Sequence, residues 1–116
     1  MTITGIHASF ASPQVQEVRN FLKDVIGLPY TDIGGGFLVF EIPDAEIAAT
    51  EHTTIEHEIA FACDDLHATI ADLKDKGVRF ANGVDEEVWG WRTFFDMPGG
   101  TRVMLYQPKY TRDPTQ

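Results

Sequence analysis

Two stretches of this chain echo one another: Ile6-His7-Ala8-Ser9-Phe10-Ala11 and His57-Glu58-Ile59-Ala60-Phe61-Ala62. A shift of 51 positions lays Phe10 over Phe61, Ala11 over Ala62 and His7 over Glu58. A strand turns alternate side chains to opposite faces, so equivalent positions of duplicated strands occupy equivalent faces. On that reading His7 and Glu58 hold matching places, one in each half. An imidazole and a carboxylate presented in this way are the raw material of a metal site or an acid–base site.

The segments after each stretch repeat as well. Ser12-Pro13 predicts a helix start, with Ser12 as N-cap and proline at the first helical position. Val18, Phe21, Leu22, Val25 and Ile26 then make one apolar stripe closed by Gly27. Pro29 to Ile33 predicts a short strand, Gly34-Gly35-Gly36 a hairpin turn, and Phe37 to Ile42 its partner strand. Glu46 to Thr50 predicts a weaker, alanine-built strand. In the second half Asp64 or Asp65 caps a helix buried through Leu66, Ile70 and Leu73 and ending at Gly77. Strands are expected at Val78–Phe80, Val88–Asp96 and Arg102–Gln107, with turns at Asn82-Gly83 and Pro98-Gly99-Gly100, and Pro108 onward is expected to be loosely held. Strand, helix and three strands, performed twice, define an α+β domain with helices on one side of antiparallel-rich sheet.

Bulk properties bound the function. A chain of 116 residues makes one domain, and 43% hydrophobic content is enough for a core. The net charge of −9 argues against binding nucleic acid or an anionic membrane surface. No apolar run approaches the roughly 20 residues that span a bilayer, and the N-terminus lacks signal-peptide character. One cysteine, Cys63, forms no internal disulfide, which fits a reducing cytoplasm.

The element order, together with Asp96-Met97-Pro98-Gly99-Gly100, Glu58 to Leu66 and the closing Val103-Met104-Leu105-Tyr106-Gln107-Pro108, resembles the vicinal oxygen chelate superfamily. Its members include glyoxalases, extradiol dioxygenases and bleomycin resistance proteins. The resemblance covers roughly residues 3 to 108. It implies two βαβββ modules with curled mixed sheets around a central cavity and helices outside. Module one falls at about 3–51, module two at about 54–108, and a polar tail at 109–116, all in one domain. It also implies a homodimer.

Metal-dependent members of the superfamily hold a divalent ion with His and Glu from the first and last strand of each module. By position these places fall on His7, on Glu58, near Thr50 (or Ala48), and on Met104, where the family usually has Glu. Glu46, on the strand face of Thr50, is a further candidate. Met104 departs from the pattern, because a thioether is a soft ligand and hard divalent ions prefer oxygen or imidazole. The bland reading of His7 is a partly buried, hydrogen-bonded imidazole, and that of Glu58 a structural ion pair. His52 or His57, from the loop, is an alternative further ligand, although both read first, like His67, as solvated or without a role, and Cys63 reads as an inert thiol.

Trp89-Gly90-Trp91 and Arg92 read first as sheet packing and surface charge. The alternative makes Trp89, Trp91, Arg92, Met104 and Tyr106 ligand-contacting residues, with Gly90 leaving space at a cavity wall. Three functions remain open. The leading one is small-molecule binding without a tightly held metal. The second is a divalent-metal-dependent isomerase, lyase or dioxygenase using His7 and Glu58. The third is a metal-free enzyme in which Glu58 and His7 do acid–base work directly.

Overall fold

The computed structural model describes residues 8–10, 12–42, 45, 53–54 and 58–110. The chain divides into two compact units, Met1–Thr50 and Glu51–Gln116.

In the first unit, helix α1 (Val15–Asn20) runs on without a break into a π-helical turn, Phe21–Ile26. The start lies two residues beyond the expected one. Ser12 does not cap the helix; its hydroxyl accepts from the Gln14 amide, 3.0 Å, and holds the entering turn instead. Val18 and Leu22 carry the buried stripe. Gly27 sits in the left-handed region (φ 78°), which lets its own N–H and that of Leu28 both reach the Leu22 carbonyl. Strands β1 (Tyr30–Asp32) and β2 (Leu38–Phe40) then pair antiparallel, with Thr31 opposite Val39. The triple glycine turns the chain between them, aided by the Asp32 carboxylate, which accepts from the Gly34 amide at 2.9 Å.

The second unit is a complete βαβββ module. Strand β3 (Ala60–Ala62), helix α2 (Leu66–Asp75) and strands β4 (Asp85–Glu87), β5 (Gly90–Asp96) and β6 (Arg102–Pro108) build a sheet ordered β3-β6-β5-β4. β3 runs parallel to β6, and the other pairs are antiparallel. Helix α2 begins as the sequence predicts. The Asp65 carboxylate accepts from the Ala68 amide at 3.0 Å, and a free first-turn N–H, that of Leu66, finds Gln107 Oε1 at 2.9 Å. It ends in a paired motif in which Val78 N–H returns to the Leu73 carbonyl and Gly77 N–H to Lys74, with Gly77 at φ 89°.

The core of this unit lies on the sheet face that α2 covers. Phe95 and Val103 are fully buried and Leu105 nearly so, with Phe61 stacked on Phe95 at 6.4 Å. Each such side chain contributes roughly 1.5–3 kcal/mol of apolar burial. Thr93 is buried among them, its hydroxyl donating to the Asn82 carbonyl. Leu66, Leu73 and Val78 complete the layer.

Three strand expectations change. Val78–Phe80 is not a strand; a single bridge joins Phe80 to Phe95. The strand expected from Val88 begins at Gly90, because Val88 and Trp89 form the two-residue turn between β4 and β5. The segment expected to be loose from Pro108 is anchored at its start: Lys109 N–H donates to the Trp89 carbonyl and its ammonium meets Glu86 at 2.6 Å. The strand expected at Glu46–Thr50 lies outside the described residues, as do the expected first strand as far as His7 and the chain beyond Tyr110.

Candidate functional site

Strand register divides the candidate residues between two faces. Cross-strand partners share a face, and the pairs Arg92–Tyr106, Phe94–Met104, Ala60–Met104 and Ala62–Tyr106 place all six of these residues on the side opposite α2. Asp85 and Glu87 of β4 join them as partners of Arg92 and Gly90. Met104 and Tyr106 are buried there, at 4% and 8% exposure, while Ala60, Ala62, Arg92 and Phe94 keep part of their surface open. Trp89 meets this face from the β4–β5 turn, edge-on to Tyr106 with ring centroids 5.6 Å apart.

Trp91 does not belong with them. It alternates with Arg92 and pairs with Gln107, on the α2 side, where the Lys109 ammonium lies 4.8 Å from its ring centroid. The turn at Val88–Trp89 breaks the alternation that would have put both indoles on one face. Gly90 does not open space for a ligand either. A side-chain carbon at Gly90 would collide with the Gln107 carbonyl oxygen, so its absence serves the approach of β6.

Arg92 lies on this face with its guanidinium 5.5 Å from the Phe94 ring centroid, and its Nη2 meets Glu87 Oε1 at 3.1 Å. Its Nε is buried and has no hydrogen-bond partner among the described residues. Neither the ion pair between β4 and β5 nor the empty Nε–H was visible in sequence. The signal for the pair was Glu87 and Arg92 flanking a tight turn.

Of the positions that family resemblance assigns to metal ligands, Glu58 and Met104 are described. His7, Glu46 and Thr50 lie outside the described residues, as do Ala48, His52 and His57. Glu58 is exposed, just before β3, rather than sunk among the apolar residues that flank it in sequence. Met104 puts a thioether where a hard divalent ion requires oxygen, on a face shared with Phe94 and Ala60. Of this pair only Glu58 offers the oxygen that such an ion takes. Among the described residues no three His, Cys, Asp or Glu side chains gather into a metal-binding group.

A small depression of about 130 Å³ opens where β3 ends, lined by Ala62, Cys63, Asp64 and Pro108. Burial, then the neighbouring Asp64 and Asp65 carboxylates, push the Cys63 thiol above its usual range. Its Sγ lies 3.5 Å from the Tyr106 carbonyl. Such a thiol is a poor nucleophile. No helix among the described residues is long and apolar enough to cross a membrane.

The βαβββ module, with its parallel β3–β6 pair, is matched by comparison with known proteins. The model of the Glyoxalase/Bleomycin resistance protein/Dioxygenase superfamily matches residues 6–105, and the chain belongs to that superfamily. Among solved structures it is similar to TnmS3, an antibiotic binding protein from Streptomyces sp. CB03234. The TM-score is 0.72 at 21% identity, over 94% of this chain and 99% of that one. A superfamily member from Sphaerobacter thermophilus DSM 20745 matches with TM-score 0.64 and 18% identity, over 92% and 99%. A lactoylglutathione lyase from Agrobacterium tumefaciens matches with TM-score 0.61 and 14% identity, over 92% and 96%. At these identities the likeness is one of fold. No curated protein sequence matches the chain.

Proposed function

We propose that this protein binds a small, partly apolar organic molecule against the sheet face bordered by Trp89, Arg92, Phe94 and Ala60, without a tightly held metal ion. Met104 carries the reading. Where metal-using members of the superfamily place a glutamate, this chain has a buried thioether in apolar company. Loss of that ligand removes the centre that would polarise a substrate and leaves an apolar, aromatic-bordered surface, the usual lining of a small-molecule site. The likeness to TnmS3, itself an antibiotic binding protein, supports the same class of function. The homodimer that family resemblance implies belongs to this reading.

Two measurements test it. Elemental analysis of protein purified without chelator is expected to find no stoichiometric divalent metal. Titration of an aromatic fragment set into ¹⁵N-labelled protein is expected to move amides of Gly90–Phe94 and Met104–Tyr106. Stoichiometric metal that disappears in His7→Ala would overturn the proposal in favour of a metal enzyme. Fragments that leave those amides unmoved would remove the binding face.

A further inference from the structure

The chain has two asparagines, Asn20 and Asn82, in contrasting surroundings. Asn20 lies in the unbroken helix, where its side-chain oxygen accepts from Gln16 at 3.1 Å. The N–H that follows it, that of Phe21, is already bonded to the Glu17 and Val18 carbonyls. Asn82 is exposed in the connection between the Phe80 bridge and β4, and Gly83 follows it. Among the described residues neither the Asn82 side-chain amide nor the Gly83 N–H has a hydrogen-bond partner. Gly83 has open space around it and no side chain to shield its nitrogen. A side-chain amide carbon and the next backbone nitrogen are thus left free beside each other, the pair from which a cyclic imide closes. Asparagine is thermolabile through such chemistry.

A peptide nitrogen is a weak nucleophile until it loses its proton, and the charge is then shared with the oxygen of the same peptide group. For Gly83 that oxygen is the Asn82 carbonyl, and it is held. The Thr93 hydroxyl, on a residue 2% exposed, donates to it at 3.2 Å. A hydrogen bond to the charged form of a group favours that form, so this contact makes the Gly83 N–H more acidic. We infer that Asn82 is a site of spontaneous deamidation in the folded protein. The Gly83 nitrogen attacks the Asn82 side-chain amide carbon, and the Thr93 hydroxyl assists by stabilising the charge on the attacking peptide group.

The step needs water and no other co-reactant. A bond forms from the Gly83 nitrogen to Asn82 Cγ, the bond from Cγ to the side-chain nitrogen breaks, and ammonia leaves with the proton that Gly83 gave up. Water then opens the imide at either of its carbonyls. One opening leaves an aspartate at position 82. The other leaves the main chain running through Cγ, with the former Asn82 carbonyl now a free carboxylate against buried Thr93. Either product adds negative charge just ahead of Asp85-Glu86-Glu87, and the second also lengthens the chain entering β4.

The test keeps the full chain folded in mildly alkaline buffer and samples it over weeks, with a sample digested at the start as baseline. Trypsin releases Phe80–Arg92, in which Asn82 carries the sole side-chain amide, and Asn20–Lys23 as an internal contrast. The first peptide is expected to gain about 1 Da and to split into two chromatographic forms, one of them a substrate for an isoaspartyl methyltransferase. The second is expected to stay unchanged. Gly83→Ala, which places a methyl in open space beside the nitrogen, should slow the gain severalfold. Thr93→Val should slow it roughly tenfold, the lower end for a hydrogen bond to a charged group, and Thr93→Ser should keep the native rate. Should the valine variant fail to fold, Thr93→Cys, whose thiol is a weak donor, takes its place.

A Phe80–Arg92 peptide that keeps its mass overturns the site. A Gly83→Ala variant as fast as the native chain overturns attack by the Gly83 nitrogen. A valine or cysteine variant at Thr93 that reacts as fast as the native chain, or faster, overturns the assistance. A hydroxyl that only anchored the connection would free it when removed and so speed the reaction.

Discussion

Trp89 stands edge-on to Tyr106, with ring centroids 5.6 Å apart and planes at 78°. The contact joins the β4–β5 turn to the closing strand, and the Trp89 carbonyl accepts from Lys109 N–H just beyond that strand. Edge-to-face aromatic pairs add about 0.5–1.5 kcal/mol to what their buried area supplies. Trp89→Ala is therefore expected to lower unfolding stability by about 1–3 kcal/mol in urea titrations. Trp91→Ala serves as the contrast: it should cost stability but leave fragment shifts at Met104 and Tyr106 intact, because that indole lies on the other face.

Gly90 is fixed by the closing strand rather than by a ligand. It pairs with Pro108, and an added side-chain carbon would lie 3.1 Å from the Pro108 Cα and collide with the Gln107 carbonyl. Backbone has no rotamer by which to yield, so β6 itself must shift. Gly90→Ala is expected to cost about 2–3 kcal/mol, in the range of overpacked interiors. Gly83→Ala, with open space at the corresponding position, should cost much less. Equal midpoints for the two variants in equilibrium unfolding would show that the strand approach is looser than described.

Much of the fold was legible because its signals are local. Asp65 and Gly77 announce the ends of α2 through capping chemistry that acts within one turn. The unbroken apolar run from Val103 to Tyr106 marks a strand with both faces covered. β4 was not legible. Asp85-Glu86-Glu87 has poor strand propensity, and it is held by side chains outside it: Arg92, across the turn, for Glu87, and Lys109, distant in sequence, for Glu86. The expected strand at Val78–Phe80 failed for the converse reason, since the strand-like alternation Val78-Arg79-Phe80 does not reveal that only Phe80 finds a bridge.

The site was legible in its parity and obscure in its turns. Alternation within each strand groups Arg92 with Phe94 and Met104 with Tyr106 from sequence alone, and the β5–β6 register then puts the two pairs on one face. Trp91 falls on the other face by its alternation with Arg92, and the turn at Val88 and Trp89, where apolar character suggests one continuous strand, is what parts Trp89 from it. The unfilled Nε–H of Arg92 depends on atoms brought together by packing, which no spacing rule records.

Asp96 and Arg102 face each other across the far end of the β5–β6 pair, with Nε donating to Oδ1 at 2.9 Å. The hydrogen bond from Arg102, and then its charge, hold the Asp96 carboxyl below the usual carboxylate range. A carboxyl whose folded pKa is depressed stabilises the fold above its unfolded pKa, near 3.9, and loses that contribution as pH falls through the folded value. Asp96→Asn should therefore lower stability slightly at pH 6 and flatten its decline between about pH 4 and 2. Both groups are exposed, so the effect is small and should shrink in 1 M salt. An unchanged acid slope in the variant would remove Asp96 from the titration.

Met104 offers the sharpest separation between a binding protein and a metal enzyme that lacks one ligand. Met104→Glu restores the family's carboxylate at a position only 4% exposed and bordered by Phe94 and Ala60. A buried carboxylate without a partner is costly as an anion, so its folded pKa rises above the unfolded value near 4.3. The sign then favours acid: the penalty is full at neutral pH and fades as pH falls through the raised folded value. Thermal unfolding is expected to show a loss of about 2–4 kcal/mol at pH 7.5, and a smaller gap from the native chain near pH 5. If the face is an apolar seat for an organic molecule, adding Mn²⁺ or Ni²⁺ should leave the neutral-pH loss in place. Full recovery with micromolar metal would mean that the remaining ligands already surround an ion site and that Met104 alone withholds it.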